Sequence, residues 1–242
     1  MVESLLLAVT RVVTMAGNIT LTNATAFFFE RNDRLFLVTA RHVLINEPSG
    51  HRPDRLLVEF HITPGNVVVT SLVTISLYLN DLPLWREASD SAGIVDIAVI
   101  ELDRKTLPSD LSIHAFNEAS LIDELEKIEV GMPVLIVGFP LGFHDTLHRL
   151  PVARQAVIAS AFGIRFQGHG YFLTDAQMHR GSSGAPVVAR PATQRSGRGG
   201  LDWMLLGVHA TRMDVANRDI MEDERLNLNC AWYADILLVL TL

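Results

Sequence analysis

The chain has 242 residues, 49% of them hydrophobic and 19% charged, with a formal net charge of −7. That length and apolar content can bury a real core and exclude a disordered chain, and the acidic balance speaks against nucleic acid, whose binding rests on clustered Lys and Arg. A single cysteine, Cys230, excludes an internal disulfide and fits a reducing compartment.

In chain order, Leu5-Leu6-Leu7-Ala8-Val9 is apolar but short. It follows Glu3 instead of a basic segment, and no small-residue cleavage site is clear, so it does not read as a secretory leader. No run approaches transmembrane length. The expectation is a soluble, cytoplasmic protein with no membrane partner. Strand patterns then dominate: 5–15 and 19–29, rich in Val, Thr, Ile and Phe around a Gly17-Asn18 turn, followed by 34–39, 56–63, 66–79 as one bent strand or two, and 94–102. From Asp103 the character changes. Pro108-Ser109-Asp110 is a turn, and 117–129 is acidic with little β signal, suiting a linker with a short helix. Strands resume at 132–138, 152–162, 170–173, 186–189, 203–210 and 226–232. The last residues, 233–242, read as a short helix, with Ile236, Leu237 and Leu240 at helical spacing. No βαβ rhythm appears, so the fold class expected is all-β, a barrel or sandwich. The basic segment 190–198 reads as a solvated loop.

Three motifs carry chemistry. Arg180-Gly181-Ser182-Ser183-Gly184-Ala185-Pro186 sets a serine between glycines. A serine hydroxyl is a weak nucleophile until a base takes its proton and donors meet the developing oxyanion. Flanking glycines let backbone N–H groups approach a bound carbonyl. Alone, the motif is an ordinary Gly-Ser turn. Upstream, however, Thr39-Ala40-Arg41-His42-Val43 follows one apolar run, and Asp96-Ile97-Ala98-Val99 opens another. The order is histidine, aspartate, serine. Asp90, in a polar loop, and Asp103, after the strand, are the competing acids.

On these motifs the chain resembles the trypsin/chymotrypsin-like serine proteases over about residues 20–236. In Thr174-Asp175-Ala176 followed by Arg180-Gly181-x-Ser183-Gly184 it resembles most their bacterial HtrA-type branch. The resemblance implies two chymotrypsin-like antiparallel β-barrels with a short C-terminal helix: residues 1–105, a linker at 106–130, and 131–242. It implies a serine endopeptidase acting on protein or peptide substrates without a cofactor. His42 is then general base and acid, because imidazole titrates near neutrality. Asp96 orients it, Ser183 is the nucleophile, and the N–H groups of Gly181 and Ser183 form the oxyanion hole. Ala185 stands where the family often has glycine. Ser182 replaces the aspartate that activates trypsin-like zymogens, so that salt bridge is not part of activation here.

By the family's pattern the primary specificity pocket falls near Gln177 and Met178, with a wall at His209, Ala210 and Thr211. No aspartate stands at its floor, which disfavours Lys and Arg substrates, since a buried cation needs a partner. Met178 and Ala210 suit small aliphatic residues, while His209 stands where glutamyl endopeptidases keep a histidine and suits Glu. No metal site is expected: His144 and His148, with Asp145 between, lack a third ligand. Cys230 lies in an apolar run and reads as packed. The appended peptide-binding domain common in the HtrA-type branch is not expected, so restraint would come from loop ordering, self-association or a separately encoded activator. Two alternatives stand beside the endopeptidase. One is a protease-fold binding or regulatory module. The other is an α/β-hydrolase built on Ser183, Asp202 and His209, which the missing βαβ rhythm disfavours.

Overall fold

The computed structural model describes residues 2–122, 128–191, 201–212 and 226–242. The first part gives β1 (Val9–Ala16), β2 (Ile19–Arg31), β3 (Arg34–Thr39), β4 (Arg55–His61), β5 (Thr70–Ser76), β6 (Tyr78–Leu79), β7 (Leu82–Pro83), β8 (Trp85–Asp90), β9 (Gly93–Leu102) and β10 (Phe116–Asn117). They form a sheet in the order β5-β4-β1-β2-β3-β9-β8, with β10 beside β2 and β6 paired with β7 apart. The second part gives β11 (Pro133–Gly138), β12 (Val152–Ile158), β13 (Tyr171–Asp175), β14 (Pro186–Ala189), β15 (Met204–Arg212) and β16 (Leu228–Tyr233). These close into an antiparallel barrel in the order β11-β12-β13-β16-β15-β14. The expected all-β class, a chymotrypsin-like double barrel with a short terminal helix, is the fold observed.

Side-chain alternation explains how the layers meet. β4 is buried at every second residue, Leu56, Val58 and Phe60, as a strand with one face on a core must be. β2 differs. Its run from Ala24 to Phe29 is buried throughout, because both faces are covered. Ala24, Ala26 and Phe28 point into the first lobe with Leu37 and Phe60. Phe27 and Phe29 point the other way, into a core shared with Phe139, Val208 and Trp232 of the second lobe. The barrel has its own interior around Ile136, Phe172 and Val187. β2 is thus the wall between the lobes.

Three details differ from the sequence reading. Residues 4–7 form a helical turn, α1 (Ser4–Leu7), that buries Leu5 and Leu7 before β1 starts. β8 lacks a strand composition, yet it forms, and Asp90 closes it instead of lying in a loop. As an edge strand bonded only to β9, β8 buries chiefly Trp85 and leaves its polar residues part-exposed. The acidic 117–129 stretch begins as β10 and a turn of 3-10 helix at Glu118–Ser120. The remainder of its expected helix falls largely on 123–127, and the basic loop largely on 192–200, outside the described residues.

The chain ends in 3-10 helix Ala234–Ile236, which runs into a terminal α-helix, Leu237–Leu240, with Leu237 and Leu240 buried. Its orphan carbonyls meet cations from the first lobe. Arg31 donates to Leu238 O at 2.5 Å and Arg86 to Leu240 O at 3.3 Å, and Arg86 also reaches Leu242 O beyond the helix at 2.5 Å. Among the described residues no helix is long and apolar enough to cross a membrane.

Candidate active site

β3 runs into a single helical turn, α2 (Arg41–Leu44), and His42 sits in it. A first-turn N–H has no partner within its helix. Here Asp96 supplies one: His42 N donates to Asp96 Oδ1 at 2.8 Å. The same carboxylate takes the ring, with His42 Nδ1 2.7 Å from Asp96 Oδ2. Register delivers the aspartate. β3 pairs with β9 until Thr39 faces Ala98, so Asp96, two residues beyond, lies alongside the start of α2. Both side chains are part-exposed, at 27% for His42 and 23% for Asp96. With Nδ1 engaged, Nε2 is the nitrogen left for proton transfer. The competing acids are occupied elsewhere. Asp90 bridges the lobes to Arg165 at 2.6 Å. Burial pushes its carboxyl up, but the Ala92 N–H and the Arg165 guanidinium outweigh that and hold it below the usual carboxylate range. Asp103 accepts from Lys105 N in its own turn.

Ser183 lies in the turn between β13 and β14. Its hydroxyl donates to Ala210 O at 3.0 Å, and its carbonyl accepts from Thr25 N of β2 at 3.0 Å. The turn is fixed on both sides. Gly184 N donates to His209 O and His209 N to Ala185 O, each at 2.8 Å, which ties it to β15. Ser182 O accepts from Ala185 N at 2.9 Å, and Arg180 O from Leu141 N at 2.5 Å. In a trans peptide the N–H points opposite the carbonyl. Two carbonyls pinned into the protein therefore turn the N–H groups of Gly181 and Ser183 the other way.

The glycines are required here. Gly181 has φ +92°, and a Cβ on it would stand 2.5 Å from Phe139 O. Gly184 has φ +86°, and a Cβ there would run into Thr25 O and Thr39 Oγ1. Left-handed backbone and overpacking together predict that Gly184→Ala costs about 3 kcal/mol or more. For a chain of this size that is a fall in Tm of roughly 6–12 °C, to be read by scanning calorimetry. A Tm within 2 °C of wild type would contradict this reading of the turn.

The proposed pocket residues divide. Gln177 and Thr211 are exposed, while Met178, His209 and Ala210 are buried. Met178 packs in the barrel interior with Phe172 and Met204. Ala210 offers its carbonyl to Ser183, a role that its side chain gave no sign of. Sequence reasoning missed Asn229 of β16. It is fully buried, paired with Thr174 across the barrel wall, and its amide donates to Ala176 O at 2.6 Å. Among the described residues its Oδ1, with Thr174 Oγ1 and Ser182 Oγ, has no hydrogen-bond partner. The available signal was a polar residue at an inward position of an apolar run. Cys230 beside it is buried, and burial pushes its thiol up to about 11, so it stays protonated at neutral pH. His144 Nδ1 lies 2.6 Å from Gly142 O and His148 Nδ1 2.7 Å from Asp145 Oδ2. Among the described residues no cluster suits a metal ion.

The model of the trypsin-like peptidase domain matches residues 24–192, a span that holds His42, Asp96 and Ser183. The chain belongs to the trypsin-like peptidase family. Among solved structures, the serine endoprotease from Yersinia pestis is 15% identical with a TM-score of 0.55, over 97% of this chain and 61% of that one. This chain thus spans about three fifths of the Yersinia protein. The Rv3671c protease from M. tuberculosis in its active form is 17% identical at a TM-score of 0.51, over 97% of this chain and 79% of that one. The scabies mite inactivated protease paralogue S-I1 is 16% identical at a TM-score of 0.59, over 98% of this chain and 94% of that one. At these identities the likeness is one of fold. None of the curated proteins compared with the chain matches it.

Proposed function

We propose that this trypsin-like peptidase is a serine endopeptidase working through Ser183, His42 and Asp96. The observation that carries the reading is the double hydrogen bond from His42 N and Nδ1 to one Asp96 carboxylate. It fixes the tautomer in which Nε2 is the base. The Ser183 hydroxyl leaves Ala210 O, gives its proton to Nε2, and its oxygen attacks the scissile carbonyl carbon. The N–H groups of Gly181 and Ser183 receive the oxyanion. On collapse the C–N bond breaks and His42 returns the proton to the leaving amine. Water then enters, gives a proton to His42 and attacks the acyl carbon; the bond to Ser183 Oγ breaks, and His42 returns the proton to that oxygen as the acid product leaves. No cofactor is required by this sequence of steps. Substrates are proteins or peptides cleaved after small aliphatic residues or Glu, and the site of action proposed is the cytoplasm.

A second reading, a protease-fold binding module with little turnover, is favoured by one observation: a structural neighbour of this chain is described as an inactivated protease. The fold therefore does not carry activity by itself. What favours the enzyme is that Ser183, His42 and Asp96 are all present, the last two in bonded contact.

Fluorophosphonate labelling read by intact mass tests the pair of readings. One adduct per wild-type chain and none on Ser183→Ala is the expected result. A folded wild type without adduct would favour the binding module. A panel of peptides with Ala, Val, Glu, Lys or Phe before the scissile bond then tests specificity. Cleavage after Ala, Val or Glu at least tenfold faster than after Lys is expected, and preferred cleavage after Lys would overturn the pocket reading.

A further inference from the structure

Thr25 is fully buried in β2, and neither its hydroxyl nor its backbone serves strand pairing alone. Its N–H donates to Ser183 O at 3.0 Å. Its carbonyl accepts from Thr39 Oγ1 at 2.8 Å, one residue before α2's cap. Its hydroxyl donates to Gly181 O at 2.8 Å and accepts from Phe139 N at 3.0 Å. One residue of the first lobe thus touches the nucleophile's peptide, the oxyanion glycine, the loop beside it and the strand that leads to His42.

The hydroxyl is the informative part. Gly181 is flanked by two carbonyls. Arg180 O is held by Leu141 N, and Gly181 O by Thr25 Oγ1. Leu141 belongs to the same 139–142 turn whose Phe139 N is bonded to that hydroxyl, and Gly142 N closes this turn on Phe139 O at 2.9 Å. One restraint on Gly181 is thus made directly by this oxygen atom, and the other by a turn that the same oxygen anchors at Phe139. Glycine at φ +92° has no side chain to hold its peptide plane, so external bonds must do so. The space around the hydroxyl is closed: a Cβ on Gly138 would stand 2.6 Å from Thr25 Oγ1. A hydroxyl that donates on one side and accepts on the other fits this place, and an apolar isostere leaves a buried N–H and a buried carbonyl unpaired.

We propose that Thr25 is a positioning residue of the oxyanion turn. Its hydroxyl anchors the carbonyl on the far side of Gly181 and, through Phe139 N, the 139–142 turn whose Leu141 N holds Arg180 O, so it steadies the Gly181 N–H from behind, and it couples the lobe carrying His42 and Asp96 to the lobe carrying Ser183. The inference rests on the endopeptidase reading. It predicts an effect on transition-state stabilisation and little on substrate binding, because Thr25 lies behind the turn.

The test compares wild type, Thr25→Val, Thr25→Ala and Thr25→Ser. Each is assayed with the best peptide of the panel and with the fluorophosphonate probe, 15 °C below its own Tm. Loss of a whole oxyanion donor lowers kcat by about 100- to 1000-fold. Misdirection of one is expected to cost Thr25→Val and Thr25→Ala on the order of 10- to 100-fold in kcat and in labelling rate, with KM within threefold. Thr25→Ser keeps the hydroxyl and loses the methyl, and is expected within threefold of wild type in kcat. A packing role would instead impair serine and alanine alike. The proposal is overturned by equal labelling of wild type and Thr25→Val, by Thr25→Ser as poor as alanine, or by Val and Ala variants that both fail to fold. A wild type that takes no label while folded overturns the endopeptidase reading instead, so the two failures are told apart.

Discussion

Ser183→Ala and His42→Ala are each expected to lower kcat on the order of a million-fold, and the double variant no further. The reason lies in the role proposed for each atom. Without Ser183 Oγ no acyl-enzyme forms, and the proton acceptor at His42 has nothing to activate. Without the imidazole, the hydroxyl remains bonded to Ala210 O and no base draws its proton away. Removing the second partner therefore removes an interaction already lost. The remaining rate over uncatalysed hydrolysis is expected from the proposed oxyanion donors, the Gly181 and Ser183 N–H groups, and from binding. Folding should hardly change, since Ser183→Ala sacrifices one hydrogen bond of a part-exposed side chain and His42 is itself part-exposed. Single-turnover rates on a peptide ester, with circular dichroism on each variant, check both halves. Losses that multiply in the double variant would mean that the two residues do not act as a unit.

Much of this architecture is legible in the sequence because it is written locally. β4 shows its period of two, β3 and β14 are short apolar runs between turn residues, and Gly181 and Gly184 mark backbone that only glycine adopts without strain. The contact of His42 with Asp96 is legible for the same reason, since each adjoins an apolar run in the sequence, although Asp96 lies inside β9 and His42 in the turn after β3. What escapes is decided by neighbours distant in the chain. β8 is a strand because β9 offers it a free edge, not because Trp85-Arg86-Glu87-Ala88-Ser89-Asp90 favours one. Residues 4–7 read in sequence as one apolar run with β1 but form a helical turn that drops Leu5 into the core between lobes, as leucine's helix propensity allows. Met178 is placed near the pocket by its position in the motif, while its packing in the barrel interior is set by the closing of the barrel. Thr25 and Asn229 look like ordinary strand residues until the barrel brings Gly181 to one and Ala176 to the other.

Asp96→Asn is expected to lower kcat by about 10,000-fold while leaving KM and the fold nearly intact. The geometry dictates which way the new amide turns. His42 N must keep its acceptor, so the asparagine oxygen takes the position of Oδ1 and its NH2 faces the ring. That NH2 can only donate. Nδ1 must then accept, the ring proton moves to Nε2, and the nitrogen meant to act as base already carries a proton. Asp96→Ala separates this tautomer effect from simple loss of a contact. It frees Nδ1 to hold its proton but strips the acceptor from the first turn of α2, and a buried polar group left unpaired costs about 1–3 kcal/mol. Asparagine should thus be the more stable variant and alanine no worse a catalyst. Stability by urea titration and kcat on the same peptide order the two. An Asp96→Asn enzyme within tenfold of wild type would mean that the carboxylate holds α2 in place and takes no part in orienting the base.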